Sequence, residues 1–445
     1  MIVDHRDVGA AFRRLAVPLA VQFAGDQILG IVDTIVIGSF GATALAGVTA
    51  SSAIFFALSA IVISLLSGGT ILAAQRIGAR DIDGFASTVR SATVGPFILA
   101  LFITIGTIFG GEYIVRALVG NISSAPASGA YLALRSVSLL VMIFSATLIG
   151  GLGAAGNRRL GIQVLAIINL IHIPLVFTLA VGLLTHHPLG IIGAGISSLV
   201  SEIVGVIYAF VYVARHPEYR IFSSLRISLR TAWACTRMGA PEAIFIGAIL
   251  IPDAMLVKFI APLGVMAVAG LRALNIASDL TFIVPSPLQS ATQTVIGQRL
   301  GAKDPVGALV FFHKARKQTL LFATLAGALV AIFAWPLAYI LTLNAAVATL
   351  AAGPLALHML TLPLKGWAMV SIAPIRAAGD TQFSMFAGLA CALAVLPLGW
   401  LSVNVVHAGL YAVPIAWIAA WLARLLVTEW KVRRGDWLLN QTIRV

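Results

Sequence analysis

Long apolar runs, broken by Gly, Pro and short clusters of charge, recur along this chain from end to end. The hydrocarbon core of a bilayer is about 30 Å thick, so a helix rising about 1.5 Å per residue crosses it in about 20 residues. Twelve runs reach that length: 15–40, 45–74, 91–111, 130–152, 161–184, 190–214, 239–262, 265–297, 318–342, 347–374, 383–404 and 408–430. An outer-membrane barrel would alternate apolar and polar residues over strands of about 10 positions, and these runs are continuous. Hydrophobic residues make up 60% of the 445 and charged residues only 10%, which excludes a soluble globular domain. The expected fold class is an all-α membrane protein with twelve transmembrane helices. The charged opening MIVDHRDVGAAFRR leads into a full-length span, so no cleavable signal peptide is expected.

The net charge of +13 is placed by topology. Arg6, Arg13 and Arg14 precede the first run, and Arg76, Arg80 and Arg90 follow the second. Arg158 and Arg159 follow the fourth, and Arg215, Arg220, Arg226, Arg230 and Arg237 surround the central loop after the sixth. Arg299, Lys303, Lys314, Arg316 and Lys317 follow the eighth, Arg376 the tenth, and Lys431, Arg433, Arg434 and Arg444 the last. The alternate connections contain only Arg116. Basic residues mark cytoplasmic loops, so both termini are expected in the cytoplasm of a bacterial inner membrane. Nucleic acid is not an expected partner. Membrane lipids are, because anionic headgroups attract such residues, and no protein partner is readable. The two cysteines, Cys235 and Cys391, have no motif spacing, and neither a metal nor a cofactor is expected.

The polar segment Arg215–Arg237 joins two halves related by a shift of 223 residues. The shift carries Pro18 to Pro241, Ala46-Gly47 to Ala269-Gly270, and Pro174 to Pro397. It also carries QRIGARD at 75–81 to QRLGAKD at 298–304, and AAGN at 154–157 to AAGD at 377–380. The domains read as a six-helix bundle over 1–214, a linker over 215–237 and a second six-helix bundle with a tail over 238–445. Six spans per half is an even number, so the repeats enter the membrane in the same sense, as in transporters built from parallel repeats. Pro285, Pro287 and Pro363 must break the hydrogen-bond ladder inside their spans.

Charges inside spans mark candidate sites, because a carboxylate near the bilayer centre costs about 2.5 kcal/mol or more. Asp26 and Asp33 lie seven residues apart in the first run, close to two turns, and share a face. His172 and Asn169 lie in the fifth run, in the same half. Histidine titrates near neutral pH, so His172 could share a proton with Asp33 or Asp26, or could be a neutral, hydrogen-bonded core residue. Glu202 adds a further first-half acid. The second half is richer in cations: Lys258 and Arg272, which could also snorkel, and Lys365, a counter-ion candidate for Asp253 or Asp279. Arg272 and Asp279 are seven apart on one face, and Arg135 is a first-half cation.

VDTIVIGSFG at 32–41, AGVTASSAIF after it, GGTILAAQRIGARD at 68–81 and their counterparts APLGVMAVAGL at 261–271 and ATQTVIGQRLGAKD at 291–304 resemble the MATE family, the multidrug and toxic compound extrusion transporters. The resemblance covers essentially the whole chain and implies a twelve-helix exporter exchanging organic, often cationic, compounds for H⁺ or Na⁺. Asp33 falls on the family's first-helix acid, which in relatives binds the coupling cation, and a Na⁺ near Asp33 would follow. Asn169 and His172 fall where relatives carry two asparagines, and Val176 where the proton-coupled branch has a further Asp. Ile249 and Lys365 stand where the sodium-coupled branch has acids, so the resemblance shifts coupling toward Asp33.

The expected function is a secondary antiporter exporting small organic compounds by alternating access, with H⁺ or Na⁺ as coupling ion. The alternative is a flippase or an exporter of a lipid-linked or anionic metabolite. An enzyme is the weaker reading, because no His-Glu-x-x-His, Gly-x-Ser-x-Gly or P-loop pattern is present.

Overall fold

The structure, a computed structural model, describes residues 15–22, 25, 32, 33, 35–183, 188–282 and 284–439, without the side chains of 42, 250, 253, 254 and 279–281. Among them every regular element is helical. The first span is described at 15–22 and from 35 to the turn at Ser39–Phe40. The helices that follow are α1 (Ala42–Ser64), α2 (Leu66–Gly78), α3 (Ile82–Ala92), α4 (Val94–Val119), α5 (Ala125–Ala154), α6 (Arg159–Val176) and α7 (Gly190–Ala214). The second half holds α8 (Leu229–Ile260), α9 (Val265–Thr281), α10 (Pro285–Gly301), α11 (Pro305–Ile332) and α12 (Ala334–Thr342). It ends with α13 (Ala345–Leu360), α14 (Leu362–Ser371), α15 (Ala373–Ala377), α16 (Thr381–Asn404) and α17 (Ala412–Arg433).

Grouped end to end, these helices form twelve spans, and among the described residues nine are long and apolar enough to cross a bilayer. Several spans are two helices in series, and proline explains most of the breaks. A proline shortly after a helix start leaves a carbonyl in the preceding turn without its donor. Pro285 opens α10 after the break at Thr281, and Pro363 lies just inside α14. Pro96 and Pro336 do the same for α4 and α12, which the sequence reading did not single out.

The contacts divide the described chain into two compact units. The first runs from Val17 to Ala243, and the second from Ile244 onward, with Leu15 and Ala16 packed into it. In the first unit Val36 and Ile37 bury against Ala44, Val48, Tyr131, Val176, Ala180, Ile191 and Ala194. In the second, Leu256, Leu271, Leu355, Met359, Val395 and Trp421 belong to one apolar core.

The internal repeat is visible bond by bond. After α2, Arg76 reaches forward to Asp81 at 2.6 Å, Asp81 accepts from the Gly84 amide at 2.8 Å, and Arg80 takes a left-handed φ of 61°. After α10, Arg299 reaches Asp304 at 2.7 Å, Asp304 accepts from the Gly307 amide at 2.8 Å, and Lys303 has φ 57°. The aspartate in each case N-caps the next helix. The turn glycines repeat as well, Gly41 at φ 99° with Gly264 at 103°, and Gly156 at 89° with Gly379 at 90°. An L side chain is disfavoured at those angles, which is why glycine holds all four positions.

Candidate functional site

The first unit brings two of the expected residues into contact. His172 Nε2 lies 2.7 Å from Asp33 Oδ1, with the side chains 3% and 14% exposed. Local sequence sets this up from both sides. The first span packs Val36 and Ile37 beside the end of α6, which fixes Asp33 one turn away. On α6, Pro174 sits inside the helix two residues beyond His172. Its missing N–H loosens the ladder, the helix continues as a π-turn over Phe177–Val181, and Thr178 Oγ1 donates to the Pro174 carbonyl at 2.9 Å. Gly193 of α7 lets that widened turn pack closely, because a Cβ there would lie 2.6 Å from the Leu179 carbonyl oxygen.

The surroundings of the pair are polar on one side. The buried Tyr131 of α5 lies within electrostatic reach of Ser52, Asp33 and Arg135. Arg135, one turn further along α5, holds its guanidinium carbon 4.2 Å from the centre of the Phe55 ring. Tyr131 and Ser52 did not stand out in the sequence, since a tyrosine and a serine in apolar runs read as packing.

Asn169 makes a different bond. It turns its Nδ2 to the Leu165 carbonyl at 2.9 Å, a bond within its own helix, and its buried Oδ1 has no hydrogen-bond partner among the described residues. Glu202 lies half-buried on α7. Asp26 lies outside the described residues.

In the second unit Lys365 is 4% exposed, and its Nζ sits 3.2 Å from the centre of the Phe282 ring and 5.9 Å from that of Trp421. A buried ammonium against ring faces is held by the negative quadrupole of the aromatic. Lys258 and Arg272 are exposed, as expected of cations that snorkel out of a span. The side chains of Asp253 and Asp279 lie outside the description. The sequence reading missed two groups here. Arg424, in the middle of α17, lies over Phe245 at 5.2 Å and Trp421 at 5.1 Å. Glu429, near the end of α17, accepts from Arg316 with both oxygens at 3.0 Å, from Trp367 Nε1 at 2.9 Å and from Ser371 Oγ at 2.6 Å. Arg424 carried a signal, a cation inside an apolar run. Glu429 was masked by the charged tail that follows it.

A polytopic helical protein made of two repeated six-span bundles, with charged groups held inside the spans, has the architecture of a secondary transporter. The chain belongs to the MATE family of transporters: the MatE family model matches residues 18–178 and 248–401. A probable multidrug resistance protein NorM of Aromatoleum aromaticum is 26% identical over 62% of this chain and 60% of its own length. The uncharacterized transporter YisQ of Bacillus subtilis is 22% identical over 94% of this chain and 92% of its own. Among solved structures, a MOP superfamily transporter from Pyrococcus furiosus superposes with a TM-score of 0.86 at 20% identity, covering 98% of this chain and 97% of that one. An outward-facing multidrug resistance MATE family transporter gives 0.85 at 20% identity, covering 97% of each chain. At such identity the likeness establishes the fold. Members of the family are transporters and not enzymes.

Proposed function

We propose that this chain is a secondary antiporter that exports organic compounds, cations foremost, in exchange for H⁺ by alternating access. The observation that supports it is the buried Asp33–His172 contact. With one proton between them the carboxyl and imidazole are together neutral, as acid and base or as carboxylate and imidazolium. Without it they carry one negative charge. A cationic substrate is favoured beside the negative form and disfavoured beside the neutral one, so proton and substrate compete for one charge state. Such competition couples two flows only if each bound form prefers a different orientation of the protein. A potential of about 100 mV adds about 2.3 kcal/mol per net charge moved. Na⁺ held by Asp33 is the variant of the same scheme in which a metal cation replaces the proton. The basic loops support, in this reading, cytoplasmic termini in a bacterial inner membrane.

A second reading rests on the other unit. Lys365 and Arg424, buried against aromatic faces, suit an anionic or lipid-linked cargo, and the Pyrococcus furiosus transporter is described as having a binding pocket of reversed polarity. The two readings separate in proteoliposomes. Efflux of a cationic dye driven by a pH gradient alone, and lost in Asp33→Asn, is the expected result. Efflux driven only by Na⁺ removes the proton from the scheme. Dye left in place under either gradient, with scrambling of a labelled anionic lipid, moves the assignment to the second reading.

A further inference from the structure

The segment between the two halves is built as a fastened strip, not as a flexible tether. Its inner side is bonded to the first unit throughout. Arg90 donates to the carbonyls of Ile221 at 2.8 Å and Arg226 at 3.2 Å, and the Ser228 amide donates to Ser91 Oγ at 3.1 Å. Arg220 pairs with Asp83 at 3.0 Å. Asn157 donates to the hydroxyls of Tyr212 at 3.2 Å and Tyr219 at 3.4 Å, and Tyr219 and Ile221 are buried in a core of the first unit. The Tyr219 hydroxyl is pushed above the usual phenol range, chiefly by that burial.

The outer side has a different composition. Leu225 is 85% exposed, Leu229 76% and Trp233 68%, with Phe222 and Ile227 exposed among them. Arg226, Arg230 and Arg237 are exposed between and after these residues. Such a run of large apolar side chains facing outward calls for an apolar cover. The strip leaves α7 at Ala214 and enters α8 at Leu229, so both its ends are ends of membrane-crossing helices on the basic side of the bundle. Ends of membrane-crossing helices on a basic side are expected at the headgroup region. Interleaved arginines and an exposed tryptophan match an interface that is anionic at the surface and apolar just beneath.

We propose that residues 222–237 form a docking strip for anionic phospholipid, with Leu225, Leu229 and Trp233 seated among the upper acyl chains and Arg226 and Arg230 on the headgroup phosphates. The strip holds the first unit by its inner bonds and the membrane surface by its outer face. Lipid charge therefore acts on the segment through which the halves are joined.

The full-length protein is reconstituted in nanodiscs of phosphatidylcholine doped with brominated phosphatidylglycerol or, separately, brominated phosphatidylcholine. The Trp233 signal is taken as the difference from Trp233→Phe. The brominated anionic lipid should quench Trp233 more strongly than its zwitterionic counterpart. That preference should fall about fivefold for each of Arg226→Gln and Arg230→Gln, and the Arg230→Lys variant should retain it, because a basic residue near an anionic surface contributes about 1 kcal/mol. High salt should abolish the preference without abolishing quenching. Equal quenching by both lipids, unmoved by either glutamine, overturns the anionic assignment and leaves apolar contact alone. A Trp233 quenched by neither lipid, in a particle that light scattering shows to be a dimer, overturns it in favour of a second copy as the cover.

Discussion

A double-mutant cycle on Asp33 and His172 tests the central contact. The relevant geometry is a carboxylate oxygen 2.7 Å from an imidazole nitrogen, short enough for a charge-assisted bond, with little of either side chain exposed. A hydrogen bond to a charged group contributes about 1.5–3 kcal/mol net, whereas a neutral side-chain bond between membrane helices averages about 0.6. Asp33 keeps some access to water, which places the expected coupling at the lower end of the charged range, about 1.5–2 kcal/mol. His172→Leu alone should cost about 2–3 kcal/mol, since it also strands a mostly buried carboxylate. Asp33→Asn should cost less, and the double variant should cost less than the two singles together by the coupling energy. Reversible unfolding in mixed micelles measures all four proteins. Proteoliposome efflux under a pH gradient should be lost in both singles. A coupling of about 0.6 kcal/mol or less would mark a neutral bond and refute the argument that one proton is shared. A transport-competent His172→Leu would refute it independently.

Three further outcomes follow from other parts of the molecule. Glu429→Gln should destabilise the second unit by about 3 kcal/mol, because it leaves Arg316 without its paired charge, and Arg316→Lys should retain only part of the native stability because the planar guanidinium also lies over the Phe312 and Trp367 rings; thermal unfolding in detergent reports both. Asp81→Ala and Asp304→Ala should each cost about 0.5–2 kcal/mol, and the two values should agree within a few tenths, since the same two bonds are removed from each turn; a large difference would contradict the bond-for-bond repeat. Gly68→Ala and Gly239→Ala should destabilise by about 1–3 kcal/mol or abolish expression, since the new methyl would land on the backbone carbonyl oxygens of Cys235 and Leu65. Gly106→Ala, with open space around it, should be neutral or stabilising in the same assay.

Most of the fold was legible because lipid leaves so few options. Runs of the right length and a register of 223 residues foretold the spans and the duplication, and Pro285 and Pro363 marked breaks that α10 and α14 display. The break after Ser64 carries no proline, so nothing in the local sequence announced it. The site was legible in its members and not in its geometry. Asp33 and His172 could be named as charged or titratable groups inside spans, but they are 139 residues apart and only tertiary packing makes them neighbours. The resemblance set Asn169 and His172 together, where relatives carry two asparagines, yet Asn169 satisfies its donor on its own helix. Glu429 was hidden because a carboxylate beside Lys431, Arg433 and Arg434 looks like part of a solvated tail until Trp367 and Ser371 are seen donating to it.

The paired turns after α2 and α10 also bear on how the chain is put into the membrane. A left-handed φ is the natural place for glycine, and a longer side chain there costs about 1–2 kcal/mol. Both copies nevertheless hold an exposed cation in that slot, Arg80 in one and Lys303 in the other. A positive charge at a span's end is what retains that end on the cytoplasmic side during insertion. In the proposed orientation, with both termini cytoplasmic, each half thus carries such a basic residue at the same structural position.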